Sequence, residues 1–326
     1  MPQSATHHRT SACTVIGVDF GGTKTEIALA DGTGLVLART RLDTRAELGP
    51  DQVISLASKS VRELEQTSLN RYGLSVAGWA AVAPGVIQPD RILLTPNLPG
   101  WERLALADRL AEEFGVPEVA VANDVRAGAL AEARFGALCG ADPGIYVSLG
   151  TGIAAALVLG GQVLSGAHQA AGEIGYMNPG DAPVDAVTAG RAPLEEAVAG
   201  KALGEQATAL FGEESTGYQL FRRSDAAARE LVQRMLQVLG TALANLSVFI
   251  DPARIVVGGG MMAAADTILP ALVRAVTQAV PFPPEIRAAR FLKDASLHGA
   301  VALALDSARA CEPLTHTGTV ISGGLR

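Results

Sequence analysis

Two stretches of the chain, each opening one half of it, share a pattern: an apolar strand meets a glycine turn, and a second apolar strand returns. The first turn is Asp19-Phe20-Gly21-Gly22-Thr23-Lys24, and the second is Gly150-Thr151-Gly152, inside residues 144–158. Glycine lets backbone N–H groups converge on an anion, because no Cβ blocks the approach. One such hairpin is weak evidence, since glycines also serve ordinary turns. Two matched hairpins predict two facing domains that grip a phosphate chain from both sides.

Composition narrows the class of protein. The chain has 326 residues, 48% hydrophobic and 18% charged, which is enough for two domains with sizeable cores. A net charge of −7 without a basic run disfavours nucleic-acid binding. No apolar run reaches membrane-spanning length and no signal peptide is recognisable, so we expect no membrane partner. The cysteines Cys13, Cys139 and Cys311 are too few and too far apart for a disulfide framework or a zinc knuckle, which favours reduced thiols in a cytoplasmic protein.

Strand and helix patterns alternate along the rest of the chain, which predicts an α/β fold. The predicted strands beyond the hairpins cover residues 34–42, 74–82, 118–122 and 254–257. The predicted helices cover 51–69, 102–114, 125–138 and 226–250, with others beginning at Pro193 and Met261 and a last buried one at 296–308. A turn at Ala83-Pro84-Gly85-Val86 follows the strand at 74–82.

An Asn-Asp pair, Asn123-Asp124, stands where a predicted strand ends and a helix begins. Asp124 could merely cap that helix, and position alone makes this somewhat the better reading. The alternative is a carboxylate that points into a crevice, because open α/β sheets bind ligands at the carboxyl ends of their strands.

Three other segments carry features of a ligand site. The loop 95–101, with Asn97 and Trp101, is either an ordered functional loop or a plain connector anchored by its indole. Glu173 is a lone acid among small residues. Gly258-Gly259-Gly260 separates a strand from a helix N-terminus, a position suited to a nucleotide, and a tight connection explains three glycines poorly.

These segments, in this order, resemble the ROK family of sugar kinases and related repressors over roughly residues 13–308. The resemblance implies a two-lobed actin/hexokinase-like, ribonuclease H-like fold with duplicated βββαβαβα-type domains and a central cleft. It places a small N-terminal domain at 13–123, a large C-terminal domain at 124–295, and a helix at 296–310 that returns to the first domain. Residues 1–12 and 311–326 are expected to be a disordered leader and a loose tail.

The resemblance also assigns roles to residues. It implies ATP-dependent phosphorylation of a sugar hydroxyl, by default the 6-OH, with Asp124 as the general base. Asn97 and Asn123 would orient the sugar, and Glu173 and Glu195 would accept hydrogen bonds from its hydroxyls. Tyr176 and Gly85 complete the expected sugar side.

On the nucleotide side, Asp19 is expected to face Mg²⁺ through water, because it stands too near the anion to bind it directly. Lys24 is either a phosphate clamp or a solvated hairpin lysine. The residues expected to contact the nucleotide are Gly21, Gly22, Thr23, Lys24, Thr151, Gly152, Gly258, Gly259, Gly260 and Met261.

The chain departs from the family at its zinc site. The family holds one zinc with a His and three Cys, and these positions are Tyr176, Ala186, Thr188 and Pro193 here. No set of soft ligands remains for zinc, so we predict no structural zinc. Glu195, the acid that ends this motif, stays in register. Tyr176 keeps a hydrogen-bond donor but changes reach and charge, so the substrate is open between glucose and an aminosugar such as kanosamine.

Two other functions compete with a sugar kinase as the interpretation of this sequence. A non-catalytic sugar-sensing regulator would lack the base or a phosphate motif, or would add a DNA-binding domain, and only residues 1–13 precede the first strand. An ATPase acting as a chaperone or filament is disfavoured by the sugar-side acids. Asp181 and Asp185 in the altered loop could add to the attraction for an ammonium group. The family suggests a homodimer that binds small-molecule sugar and ATP, with no nucleic acid and no membrane.

Overall fold

The computed structural model describes residues 13–95 and 97–310, so the predicted leader, the predicted tail and Cys311 lie outside the described residues. The first lobe is built on a five-stranded sheet in the order β3-β2-β1-β4-β7. Its strands are β1 (Thr14–Phe20), β2 (Lys24–Asp31), β3 (Val36–Asp43), β4 (Val76–Ala83) and β7 (Ala120–Asn123), and a separate hairpin joins β5 (Val86–Gln88) to β6 (Arg91–Leu93).

The second lobe repeats this sheet, in the order β10-β9-β8-β11-β12. Its strands are β8 (Gly144–Leu149), β9 (Ile153–Leu159), β10 (Gln162–Val163), β11 (Arg254–Gly258) and β12 (Glu285–Ala288). In both sheets the hairpin is antiparallel and two parallel strands follow on the other side of its first strand. The duplicated α/β fold predicted from the two hairpins is therefore confirmed.

Helices cover these sheets. They are α1 (Pro50–Thr67), α2 (Leu106–Phe114), α3 (Asp124–Phe135), α4 (Pro193–Val198), α5 (Gly200–Phe211), α6 (Gly217–Leu220), α7 (Ala226–Ile250), α8 (Ala265–Ala279) and α9 (Ala295–Ala310). Burial follows helical spacing, as in α1, where Val53, Ala57, Val61 and Leu64 face the first core. We propose the division between the lobes at Asn123/Asp124, where β7 gives way directly to α3.

Some predicted boundaries were wrong for local reasons. The helix expected at 102–114 begins only at Leu106, because Trp101–Arg103 forms a 3₁₀ turn and Leu104 is extended. Trp101 is fully buried there, edge-on to Phe20 with ring centroids 5.2 Å apart. The helix expected from Met261 begins with a 3₁₀ turn at Gly260–Ala264 and becomes α-helical at Ala265.

The last helix, α9, belongs to the first lobe's core although it comes at the end of the described chain. Its buried residues Leu297, Val301 and Ala304 pack with Val15 of β1 and Ala80 of β4. The helix also lies along α3. Helix α9 therefore joins the core of the first lobe to α3.

By length and composition, one helical stretch among the described residues, Gly260–Ala279, is apolar enough to cross a membrane. Its side chains Ile268, Leu272 and Val276 pack into the core of the second lobe. The absence of a membrane partner stays a prediction.

Candidate active site

The end of β1 places Asp19 beside α9. Ser296, in the first turn of α9, donates a hydrogen bond from Oγ to Asp19 Oδ2 at 2.5 Å. Burial raises the pKa of Asp19 to about 6, with the Ser296 hydrogen bond opposing the rise and the charge of Glu26 adding to it. Because burial disfavours the ionised form of this carboxyl, a nearby positive charge would stabilise it. Asp19 therefore suits a site that binds a cation.

The start of α3 places Asp124 close enough to Asp19 for the two charges to interact. Burial raises the pKa of Asp124 to about 7, and the charge of Asp19 adds to that rise. Its Oδ1 also accepts a hydrogen bond from the backbone N–H of Val125 at 2.9 Å. A carboxyl with a pKa near neutrality can take a proton at physiological pH, as a general base must.

The cap of α3 is Asn123 rather than Asp124. Asn123 Oδ1 accepts from the N–H groups of Val125 at 2.9 Å and Arg126 at 3.1 Å, and its Nδ2 donates to the carbonyl of Gly85 at 2.8 Å. The side chain is buried. The capping alternative considered for Asp124 was therefore wrong, because its neighbour fills that role. Asn123 and Gly85 hold the turn after β4 against the start of α3, and direct sugar contacts by either residue stay predictions.

A cavity of about 720 Å³, which we name the acidic cavity, lies between the two lobes. Its lining includes six of the predicted site residues, namely Asn97, Thr151, Gly152, Glu173, Tyr176 and Glu195. It also includes Glu102, Glu196 and Glu205, with Lys201 as the cation among its described lining residues. The structure thus brings the sugar-side prediction together with the second glycine turn.

Glu195 is fixed by the second hairpin. Its Oε2 accepts a hydrogen bond from the backbone N–H of Ile153 at 3.0 Å. A Cβ on Gly152 would lie 2.3 Å from the same oxygen, so only glycine leaves room for this carboxylate at the turn. The second glycine turn therefore positions a carboxylate of the acidic cavity, in addition to any contact that it makes with phosphate.

The acids of this cavity crowd one another. Burial raises the pKa of Glu173, Glu195 raises it further, and the Arg126 guanidinium opposes the rise. Burial raises the pKa of the Tyr176 hydroxyl, and the charges of Glu173 and Glu195 add to it. Such crowding favours a bound group that donates hydrogen bonds or carries positive charge.

The residues predicted to contact the nucleotide include those of the first hairpin turn and those of the Gly-run after β11. The first turn reaches the Asn97 loop, since a Cβ on Gly22 would lie 2.9 Å from Asn97 Cβ. The Gly-run after β11 packs on the second hairpin: Gly259 has φ +91° and no room for a Cβ against the Leu149 carbonyl. Met261 lies on Gly200 at the start of α5.

Each hairpin turn is closed by its own backbone. Gly21 N–H donates to Lys24 O, and Gly150 N–H donates to Gly152 O, both at 2.9 Å. These two N–H groups are therefore committed within the turns, which leaves Gly22, Thr23, Thr151 and Gly152 as the predicted contacts to a phosphate.

Lys24 is paired with an acid rather than simply solvated, and its part as a phosphate clamp stays a prediction. Its ammonium forms an ion pair with Glu26, which also pairs with Arg39 at 2.7 Å. Burial disfavours the charge of Glu26, but the hydrogen bonds from Lys24 and Arg39 hold its pKa below the ordinary value.

Sequence reasoning missed Ser296 and Arg126. Ser296 lies far along the chain from Asp19, and no local pattern links them. Arg126 is buried, donates to Gln169 O at 2.6 Å and interacts with Glu173 and Asp124. Its position two residues after Asp124, in the first helical turn, was the available signal.

The positions that carry zinc ligands in the family hold other chemistry. Ala186 is buried, the Thr188 hydroxyl donates to Asp185 O at 2.8 Å, and Pro193 begins α4. The absence of zinc stays a prediction based on that donor set. Asp181 and Asp185 are exposed and do not line the acidic cavity, so their expected part in ammonium binding is not supported.

The donors around Asp19 decide whether Mg²⁺ fits this site. Across residues 13–95 and 97–310, no group of three His, Cys, Asp or Glu is placed to hold a metal ion. A single carboxylate beside glycine turns fits Mg²⁺, which keeps several waters and takes substrate phosphates as ligands. Asp19 would thus hold the ion through water.

Two lobes of equal topology, each with a glycine hairpin turn, and an acidic cavity lined by residues of both lobes define an actin-like, hexokinase-type fold. The ROK family model matches residues 15–307, and the chain belongs to the ROK family. It is 31% identical to the ROK hexokinase of Thermus thermophilus, whose crystal structure gives a TM-score of 0.77 and covers 91% of this chain and 99% of that one.

Two further proteins carry information on ligands. The chain is 29% identical over 298 residues to the kanosamine kinase of Amycolatopsis mediterranei, covering 89% of this chain and 95% of that one. It is 25% identical to a ROK glucokinase from Streptomyces griseus solved with glucose and AMPPNP. That structure has a TM-score of 0.71, with coverage of 90% and 99%.

Proposed function

We propose that this chain is an ATP-dependent hexose kinase in which Asp124 is the general base, acting on the 6-OH of glucose or of an aminosugar such as kanosamine. The observation that carries the proposal is the position of Asp124. Its carboxyl lies at the start of α3 beside Asp19, interacts with Glu173 of the acidic cavity, and has a pKa of about 7. ATP as donor is supported by the AMPPNP-bound ROK glucokinase to which the chain is similar.

In the proposed reaction, the sugar hydroxyl oxygen attacks the γ-phosphorus of ATP as Asp124 accepts the hydroxyl proton. The new bond joins the sugar oxygen to phosphorus, and the bond from phosphorus to the β–γ bridging oxygen breaks. ADP and a sugar phosphate leave. Burial and the charge of Asp19 raise the pKa of Asp124, and the hydrogen bond from the Val125 N–H opposes that rise, so the carboxyl has a pKa of about 7.

The developing negative charge needs compensation. When bound, Mg²⁺ would supply compensating positive charge beside Asp19. Thr23 and Thr151 offer hydroxyls from the two turns. Closure of the lobes would exclude water, so that ATP is not simply hydrolysed.

The acidic cavity supports an aminosugar at least as well as glucose. Glu102, Glu173, Glu195 and Glu205 line it against one described cation, Lys201. An ammonium group on the sugar would relieve the repulsion that raises the pKa of Glu173. The similarity to a kanosamine kinase agrees with this choice.

The general-base assignment is tested by Asp124→Asn. We expect nucleotide binding to change little and turnover to fall by about 10²–10⁴-fold, because the amide cannot accept the proton. Calorimetry with AMPPNP and a coupled assay of ADP release provide the two readouts. Turnover like that of the unmodified chain would overturn the assignment.

The substrate is tested by ATP consumption with glucose, glucosamine, kanosamine, N-acetylmannosamine and fructose at equal concentration. We expect the largest kcat/KM for glucose or kanosamine. Sugar binding without ATP consumption for any of them would favour a sugar-sensing regulator instead. Two further proposals are a cytoplasmic location and a homodimer. Fractionation of cells tests the location, and light scattering on the purified chain tests the homodimer.

A further inference from the structure

A smaller cavity of about 190 Å³, which we name the small cavity, opens beside Asp124. Its walls come from the start of α3, the end of β8, the Gly-run after β11 and the segment that leads into α9. Gly259 and Gly260 line it, and a Cβ on Gly260 would meet no atom within 4 Å. The backbone of the Gly-run is therefore open to a ligand here.

The small cavity is rich in hydrogen-bond donors. Ser148 brings a hydroxyl, the Gly-run brings backbone N–H groups, and Lys293 brings an ammonium on the segment just before α9. Ser296 already donates to Asp19. A ligand bound here would therefore lie within the group formed by Asp19, Asp124 and the Gly-run, and it would need to be anionic to match Lys293.

The other cations near this cavity are engaged. Lys24 pairs with Glu26, and Arg39 joins Glu26 to Asp294. Arg290 donates to the carbonyl of Phe135. Lys293 is exposed and forms no ion pair or hydrogen bond with the residues that the structure describes. It is thus the cation left for a ligand on this side of the cleft.

We infer that Lys293 binds the polyphosphate of the nucleotide, as a residue that nothing in the sequence motifs assigns. The inference rests on the proposed function, since it takes ATP as the ligand of the Gly-run. Lys293 contributes positive charge from the α9 side, while the two glycine turns approach from the lobes. Lys24, the lysine of the first hairpin, is paired with Glu26.

The test compares three variants that lose one lysine charge and keep an apolar stem. Lys293→Met is the test, Lys59→Met on the exposed face of α1 is the matched control, and Lys201→Met removes the cation of the acidic cavity. We expect Lys293→Met to weaken ATP binding in calorimetry about tenfold, the loss typical of one hydrogen bond to a charged group. Lys293→Arg should restore most of it. Sugar affinity should stay within twofold.

Two results would overturn the inference. One is ATP affinity in Lys293→Met equal to that of Lys59→Met, with or without a loss in Lys201→Met. The other is an equal loss of adenosine binding, measured by competition, because that contact would not depend on phosphate. If the unmodified chain binds no ATP at all, the proposed function fails first, so the two failures are distinguishable.

Discussion

The two glycine hairpins follow one backbone plan, yet their equivalent positions carry different chemistry. Asp19 is the residue before last in β1 and stands opposite Glu26 of β2. Its counterpart in β8 is Ser148, opposite Ala154 of β9. The first hairpin therefore pairs two carboxyls across its strands, while the second pairs a hydroxyl with a methyl group.

The second hairpin receives its carboxylate from elsewhere. Glu195, from α4, accepts the N–H of Ile153 and fills the space beside Gly152. The first hairpin thus carries its own buried carboxyl, and the second holds a carboxylate supplied by α4. The two copies of one scaffold therefore obtain their acidic group in different ways, and the proposed function assigns the first to Mg²⁺ and the second to the sugar.

The comparison is tested most severely by Asp19→Asn and Ser148→Ala. We expect Asp19→Asn to lower turnover by about 100-fold or more, because it removes the carboxylate expected to face Mg²⁺. Ser148→Ala should change turnover by no more than about fivefold, since a neutral hydroxyl is worth roughly 1 kcal/mol. Steady-state assays with saturating ATP and sugar measure both. Equal losses would mean that the hairpins share the electrostatic task.

A steric test comes next, with Gly152→Ala and Gly150→Ala as a matched pair. A Cβ on Gly152 would meet Glu195 Oε2 at 2.3 Å, whereas the nearest atom to a Cβ on Gly150 is 3.7 Å away. We expect Gly152→Ala to displace the carboxylate and raise the sugar KM about tenfold, the scale of one lost hydrogen bond to a charged group.

Gly150→Ala should leave the sugar KM within about twofold. The ATP KM separates the outcomes. If Gly152→Ala raises the KM for ATP more than the KM for sugar, the second hairpin contacts phosphate and does not position the sugar-side carboxylate.

The smallest expected effect is a change in pH dependence. Ser296 stabilises the ionised form of Asp19, so Ser296→Ala should raise the pKa of Asp19 above its value of about 6. Activity that needs both carboxylates ionised then requires a higher pH. Because Asp124, with a pKa of about 7, sets most of the rising limb of kcat/KM, that limb should move up by only about 0.3 pH unit. The loss should be evident at pH 6 and small at pH 8. An unshifted limb with a uniform loss would assign Ser296 a packing role only.

Much of the fold was predictable, because it depends on local signals. The hairpins, the strand that leads to the Asn-Asp pair, and α7 follow from period-two and period-3.6 patterns with glycine or Asp-Pro at their ends. Errors occurred where tertiary contacts decided the local structure. Trp101 turns into the first core against Phe20, and this delays the start of α2.

The site was predictable in membership but not in detail. The motif order brought Asn97, Glu173, Tyr176 and Glu195 to one cavity, as expected from the resemblance. No sequence rule could say that Asn123 rather than Asp124 would cap α3, since both are good capping residues. Contacts such as Ser296 to Asp19 depend on how α9 returns, and only the folded chain shows that.

The place of α9 has a consequence for biosynthesis. Its side chains complete a core whose strands β1 and β4 are made near the beginning of the chain. A ribosome that has finished α3 must add roughly 175 more residues before α9 is available, which at about 5–20 residues per second takes on the order of 10–35 s. For that interval the nascent first lobe exposes the apolar face that α9 later covers. We therefore expect it to depend on chaperones during synthesis more than the second lobe does.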